Sequence, residues 1–394
     1  MVTSKRALVA ACGLAAATVG LTGAGVGAGA RAAAFDLTAQ KVSGWRAPGV
    51  RVTVTGWGPA DGTVVLRERG HVVATATAGP RGRFRLGFAT LRPGRYPLTV
   101  SATGETLSAG AVQIRPVTLA AVGDITFGEQ VGPTLGRLGG RYPWTSVAPL
   151  LSSADVTTGN LETSVSARGT PSPKEYTFRG APWMLRPVHS FAGFDVLTLA
   201  NNHAVDYGRA ALLDTIHAVQ AAGMEPIGAG ATAWRARRPA LVTSGGLRIA
   251  LLGYSDVNPP GFTATAGTPG TARADPAEIA ADVRAALRRA DVAVCFFHWG
   301  VELHAQPDSR QKELAVACLR AGASLVLGAH PHVFGPVVRP SRHTLVAWTL
   351  GNFVFPASGV TARTGILQVR LGRDGVEGYR MTRVTIDGFR PVLR

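Results

Sequence analysis

Two histidines stand one residue apart in Gly328-Ala329-His330-Pro331-His332, directly after the apolar run Ser324-Leu325-Val326-Leu327. A short apolar run bounded by glycine reads as a buried strand. Two imidazoles so close on the loop that follows can turn toward one point, as shared metal ligands must. Taken alone, the pair has a plainer reading, with one ring capping a turn and the other packed on the surface. The pattern recurs, however. Val117–Val122 leads to Gly123-Asp124, and Asp155–Thr158 to Gly159-Asn160-Leu161-Glu162. Phe194–Ala200 leads to Asn201-Asn202-His203, Asp291–Phe297 to His298-Trp299-Gly300-Val301-Glu302, and Leu345–Leu350 to Gly351-Asn352. Oxygen and imidazole donors at successive strand ends suit a divalent-metal centre of mixed N/O type.

Such donors need an α/β frame, because ligands in open α/β sheets bind beyond the carboxyl ends of the strands. From about residue 116 the chain alternates strand-like runs with helical patterns at Pro143–Leu151, Trp183–Phe191, Gly208–Ala222, Asp275–Ala290 and Ser309–Ala321. Leu212, Leu213, Ile216 and Val219 form an apolar stripe at three- and four-residue spacing. Asp275-Pro276 is an N-cap followed by a first-turn proline. The Pro-, Gly- and Thr-rich stretch Asn258–Ala272 predicts a long loop or lid. Residues after Thr364 predict closing strands, with Asp374-Gly375 as a hairpin turn. Residues 35–115 carry short alternating runs separated by Asp61-Gly62, Arg69-Gly70 and Pro93-Gly94, the pattern of a small all-β sandwich.

The first 34 residues predict an export signal: Lys5 and Arg6, an apolar stretch from Ala7, then Ala32-Ala33-Ala34 as a small-residue cleavage site. The expected organisation is therefore a signal over 1–34, a β domain over 35–115 and an α/β domain over 116–394, with an exported, extracellular or envelope-associated location. Cys295 and Cys318 fall on a predicted strand and helix, where buried free thiols are expected, with a disulfide the alternative that export permits. Formal net charge is +17; removing Lys5, Arg6 and Arg31 with the signal leaves +14. That field attracts anionic partners. Export and the lack of an aromatic-basic binding motif argue against nucleic acid.

Five of these motifs, Gly123-Asp124, Gly159-Asn160-Leu161-Glu162, Asn201-Asn202-His203, His298-Trp299-Gly300 and Gly328-Ala329-His330-Pro331-His332, in this order and each at a strand end, resemble the CapA family, named for a component of poly-γ-glutamate capsule synthesis. The resemblance covers about residues 116–360. It implies a fold like the calcineurin-like metallophosphoesterases: two packed mixed β-sheets flanked by helices, here preceded by an Ig-like β domain. It implies one or two divalent ions, of the Mn, Zn or Fe kind. Asp124 and His332 would hold the first ion, Glu162 would bridge, and Asn202, His298 and His330 would hold the second. His203 would give a proton to the leaving group, a role that suits an imidazole, whose unperturbed form titrates near neutrality, or would bind the phosphate. Asn160 would support these ligands from behind or add a donor to the first ion, Glu302 would orient His298 or start a helix, and Asn352 would orient the site or fill a turn. Lys174 and Arg179, on a basic-aromatic loop, would clamp an anionic substrate or simply lie in solvent.

One position departs from the metallophosphoesterase pattern. Those enzymes carry a histidine two residues after the first aspartate, where this chain has Thr126. The first ion then has one imidazole fewer. Two readings stay open for the α/β domain, beside a third in which the protein binds the cell wall and the β domain is the working part. One is an exported metal-dependent hydrolase acting in synthesis or processing of a capsule or envelope polymer of the poly-γ-glutamate type. The other is a non-catalytic accessory that binds the anionic polymer. Expected partners are an anionic polymer or phosphoester and membrane proteins of capsule synthesis. Trp299 is expected to pack, and Asp206 and Gly208 to shape the turn after His203.

Overall fold

The computed structural model describes residues 36–393 and the backbone of Val2–Thr3. The export signal expected over 1–34, with its cleavage point at Ala34, otherwise lies outside the described residues. Chain contacts divide the protein between Arg115 and Pro116 into two compact units.

The N-terminal unit is all β. A three-stranded sheet holds Thr38–Ala39, Val52–Trp57 and Arg83–Phe88. A five-stranded sheet holds Trp45–Arg46, Glu105–Ile114, Gly94–Ala102, Thr63–Glu68 and His71–Thr77. Alternation decides which face is covered: Val52, Val54, Val64, Leu66, Leu86, Leu98 and Val100 meet in one shared core.

The C-terminal unit contains two mixed sheets. The first runs in the order β4-β3-β2-β1-β12-β13-β14, with β11 pairing β1. These are Val117–Ile125 (β1), Val156–Leu161 (β2), Val196–Thr198 (β3), Glu225–Ile227 (β4), Asn352–Val354 (β11), Arg363–Gly372 (β12), Gly375–Asp387 (β13) and Arg390–Leu393 (β14). The second runs β5-β6-β7-β8-β10-β9, with Val2–Thr3 paired at its β5 edge. Its members are Ala240–Ser244 (β5), Leu247–Ser255 (β6), Val292–His298 (β7), Leu325–Ala329 (β8), Val337–Ser341 (β9) and Thr344–Ala347 (β10).

The central strands are buried on both faces, so they read as continuous apolar runs rather than alternating ones. Ala120 and Val122 share a core with Val131, Leu151, Leu185 and Leu212 of the flanking helices. Ala250, Leu252, Ala293 and Cys295 pack under the helices of Ile279, Val283, Leu314 and Cys318. The opposite faces meet where β1 touches β8 and β3 touches β6. Parallel neighbours end at the same edge, and this edge gathers the donors: Asp124 is level with Asn160 and Asn352, and His298 with Ser255 and Ala329.

Two glycines in the donor motifs are there for close approach. A Cβ on Gly123 would lie 1.7 Å from the Gly351 carbonyl oxygen, and one on Gly328 would lie 2.0 Å from that of Trp348. Helix Gly208–Ala221 follows the third motif. Helix Pro276–Leu287 is N-capped by Asp275, and Ser309–Arg320 by a capping box of Asp308 and Gln311. The patterns at 143–151 and 183–191 begin instead as 3₁₀ turns, Tyr142–Trp144 and Pro182–Met184, before the short helices Ala148–Ser153 and Leu185–Ser190. Helix Val131–Leu138 went unforeseen, its pattern broken by Gly132, Pro133 and Gly136. In the expected lid, Gly270–Thr271 is a strand that pairs with Ala229–Gly230.

The expectation of free thiols is corrected: Cys295 and Cys318 form a disulfide. Helix Ser309–Arg320 packs against β8, and its buried Cys318 reaches Cys295 on the neighbouring β7. The bridge closes a loop of 23 residues, worth about 3 kcal/mol in the chain-entropy account. We expect the double variant Cys295→Ala/Cys318→Ala to lose that much stability in denaturant titration, with donor geometry retained.

Candidate metal centre

Nine of the side chains singled out at strand ends converge: Asp124, Asn160, Glu162, Asn202, His203, His298, His330, His332 and Asn352. Asp124 and Glu162 arrive from β1 and the end of β2, and His298, His330 and His332 from the ends of β7 and β8. Two ligand groups share Glu162. Glu162, His298 and His330 offer atoms within 4.8 Å of one another, as do Asp124, Glu162 and His332. Asn202 Oδ1 lies 2.9 Å and Glu162 Oε1 3.3 Å from His298 Nε2, so Asn202 joins the first of these groups.

Supporting contacts fix the rings and carboxylates. Asn160 Nδ2 donates to Asp124 Oδ1 at 2.7 Å and stands 3.1 Å from His298 Nδ1. Asn352 Oδ1 lies 2.7 Å from His332 Nδ1. The backbone N–H of His330 donates to Asp124 Oδ2. His330 and His332 hold φ of 96° and 57°, left-handed values that cost a β-carbon-bearing residue energy and cluster at functional sites.

Charge is costly here, and the ionisations respond. Burial, helped by the charge of Asp124, pushes Glu162 up to about 8. Burial pushes His298 down to about 3 and His330 well below its usual range. At His332 burial works downward, but the Asp124 hydrogen bond and the charge of Glu162 prevail and raise it to about 10. Asp124 is lowered: burial opposes this, but the hydrogen bond and charge of His332 outweigh it.

The donors fit a divalent cation. Both Glu162 carboxylate oxygens and His330 Nδ1 are buried and lack any hydrogen-bond partner. Such orphaned atoms are expensive unless something else satisfies them. Carboxylates, an amide oxygen and imidazoles together are the ligand types of transition-metal sites.

His203 stands at the edge of this set, Nε2 4.0 Å from Glu162 Oε1. Its Nδ1 lies 2.7 Å from Asp206 Oδ2, and its ring stacks on Phe178 at 4.1 Å. Asp206, read from the sequence as a turn residue, therefore also orients His203. Its spacing of three from His203 was the available signal. Asn201 was missed too: it donates to Asn160 Oδ1 and accepts from the His203 N–H.

Three supporting residues lie differently from the expectation. Lys174 Nζ pairs with Asp206 Oδ1 at 2.6 Å and donates to the Asn202 carbonyl, so it braces the His203 turn. Arg179 donates to the carbonyls of Arg168 and Gly169 and stacks over Tyr207, held by its own loop. Glu302 groups with His330 and His332 rather than behind His298, because the exposed turn after β7 carries it outward. Thr126 is buried and its Oγ1 accepts from the Gly128 N–H, so no donor takes the place of the absent imidazole from that position. Trp299 packs between Phe297 and Trp348.

Asn160 links both ligand groups through one amide. We expect Asn160→Ala to weaken metal binding by about 10- to 100-fold, read by competition with a chromogenic chelator.

A family model described as "Bacterial capsule synthesis protein PGA_cap" matches residues 118–357, which contain every donor above. The PGA biosynthesis protein CapA of Bacillus subtilis (strain 168) is 31% identical over 274 residues, 68% of this chain and 72% of that protein. The capsule biosynthesis protein CapA of Bacillus anthracis is 32% identical over 268 residues, covering 66% of this chain and 65% of the other. A probable polyglutamine synthesis accessory protein of Mycobacterium tuberculosis is 33% identical over 211 residues, 50% and 55% of the two chains.

Proposed function

The chain belongs to the bacterial capsule synthesis protein family PGA_cap, and from that premise we propose that it is a metal-dependent hydrolase acting on an anionic envelope polymer of the poly-γ-glutamate type. The observation that carries the reading is the buried Glu162 carboxylate with both oxygens unpartnered between the two ligand groups. On this reading the C-terminal unit is a calcineurin-like sandwich, and residues 36–115 are an Ig-like accessory module. The protein works outside the cell membrane, beside membrane proteins of capsule synthesis.

Asp124, Glu162 and His332 would hold one divalent ion, and Glu162, Asn202, His298 and His330 a second. When bound, such ions polarise the bond to be cut and acidify water. The chain's own residues supply the rest. Asp206 accepts from His203 Nδ1–H, which fixes the ring and leaves Nε2 facing the ligand set. A protonated Nε2 there can give its proton to a departing oxygen or nitrogen. Lys174 Nζ pairs with the second Asp206 oxygen at 2.6 Å and so holds that carboxylate in place beside the imidazole.

The Thr126 position favours the second reading, a polymer-binding accessory without turnover. One experiment separates the two. The full chain, loaded with Mn, Zn or Fe, is measured for metal by elemental mass spectrometry and for release of new chain ends from poly-γ-glutamate and from phosphoesters. Bound metal with turnover supports the hydrolase. Bound metal without turnover on any of these substrates moves the assignment to the accessory, and absence of bound metal sinks the hydrolase.

A further inference from the structure

We propose that the N-terminal unit carries a second, metal-independent binding site: a basic cleft that holds a stretch of polycarboxylate chain. This deepens the reading above and rests on it for the identity of the polymer. The cleft measures about 770 Å³, within the range of roughly 300–1,000 Å³ usual for ligand sites. It forms where the chain crosses from the three-stranded sheet to the five-stranded one, over residues 89–93. Phe88 contributes from the first sheet and Arg51 from the residue before its strand Val52–Trp57, Arg95 and Tyr96 from the second sheet, Arg69 from the turn between Thr63–Glu68 and His71–Thr77, and Arg92 from the crossover.

Four arginines thus face one glutamate, Glu68. Arg69 pairs with Glu68 at 3.3 Å while staying largely in solvent. Among the described residues, Arg51, Arg92 and Arg95 make no ion pair. A guanidinium is a planar fork that matches a carboxylate with two hydrogen bonds. The crossover is tied down, since Tyr96 Oη donates to the Arg92 carbonyl at 2.8 Å and Arg69 to that of Arg95. Gly87 leaves room for the Arg51 stem, whose Cδ would lie 3.1 Å from a Cβ at that position.

The arginines come from separate segments around the rim, so a chain with repeated carboxylates can engage several at once where a small anion cannot. Phe88, Val73 and Tyr96 line the same cleft and offer apolar surface to the methylene groups between carboxylates.

The test uses the full chain and fluorescein-labelled poly-γ-glutamate, followed by anisotropy at about 0.15 M salt, where exposed charges beyond roughly 8 Å are screened. We compare Arg51→Ala/Arg92→Ala/Arg95→Ala with Arg370→Ala/Arg380→Ala/Arg383→Ala, which removes the same charge from exposed positions of β12 and β13. The cleft variant should bind at least about tenfold more weakly and the control within about twofold of the unchanged protein. Equal weakening of both variants, unchanged binding in the cleft variant, or no binding by the unchanged protein overturns the proposal. So does equally tight, cleft-dependent binding of poly(glycerol phosphate), which would make the site a general anion receptor. Metal content and chain-end release are recorded alongside. Their failure counts against the hydrolase and leaves the cleft result standing.

Discussion

His203→Ala abolishes turnover while leaving the fold and the metal content as they were. His203 is not in either ligand group of carboxylates and imidazoles, and its Nε2 stops 4.0 Å short of Glu162. Its Nδ1 is committed to Asp206, so its remaining service is a proton at Nε2. Loss of a general acid costs about 10²- to 10⁴-fold in kcat. The measurement is kcat on the polymer that the unchanged protein cleaves, with metal content from the same preparation. Full activity in this variant removes His203 from the chemistry. Loss of metal together with activity makes it a ligand instead. Asp206→Asn should lower kcat in the same direction by a smaller factor, because the ring stays in place but its tautomer is no longer held.

Glu162→Gln has the second large effect, with opposite signs in the metal-free and loaded protein. In the loaded protein it removes the carboxylate common to both groups. Affinity then falls by more than the roughly 100-fold attributed to supporting residues. In the metal-free protein the substitution is tolerated, because burial already holds the carboxyl neutral below about pH 8 and glutamine is a neutral group of the same shape. The pH dependence isolates this. Glu162 has its folded value raised from 4.5 to about 8. Its contribution to stability is therefore fully present below about pH 4.5 and is lost as pH rises toward 8. His298, His330 and His332 titrate in both proteins, so the quantity to plot is the difference between the unchanged protein and Glu162→Gln. That difference should move against the unchanged protein from pH 4.5 to 8 and reverse when metal is added. A flat difference curve would mean that Glu162 is solvated or paired in solution.

The donors were legible in the sequence because each follows a run that could only be a strand. Apolar stretches such as Val117–Val122 and Leu325–Leu327 end in residues that a buried strand end does not need for packing. Parallel pairing then forces those ends to one edge. What spacing does not carry is the direction of a side chain on a loop. Lys174 and Arg179 read alike as basic residues near the site. Yet one turns inward to Asp206 and the other backward to its own loop. Asp206 was legible as a turn residue but not as the partner of His203, since that pairing depends on how tightly Val205 and Asp206 wind before helix Gly208–Ala221. The disulfide was hidden because a strand and a helix gave no sign of facing one another.

The two ligand groups draw on both sheets, with Asp124 and Glu162 from one and the three imidazoles from the other. A cation bound there would act as a rivet through the sandwich, and its grip would follow mass action. Above its dissociation constant, each tenfold rise in free metal would add about 1.4 kcal/mol per ion to the stability of this unit. The melting temperature of the C-terminal unit would then climb with the logarithm of metal concentration, and chelation would loosen the sheets from each other before either one unravels.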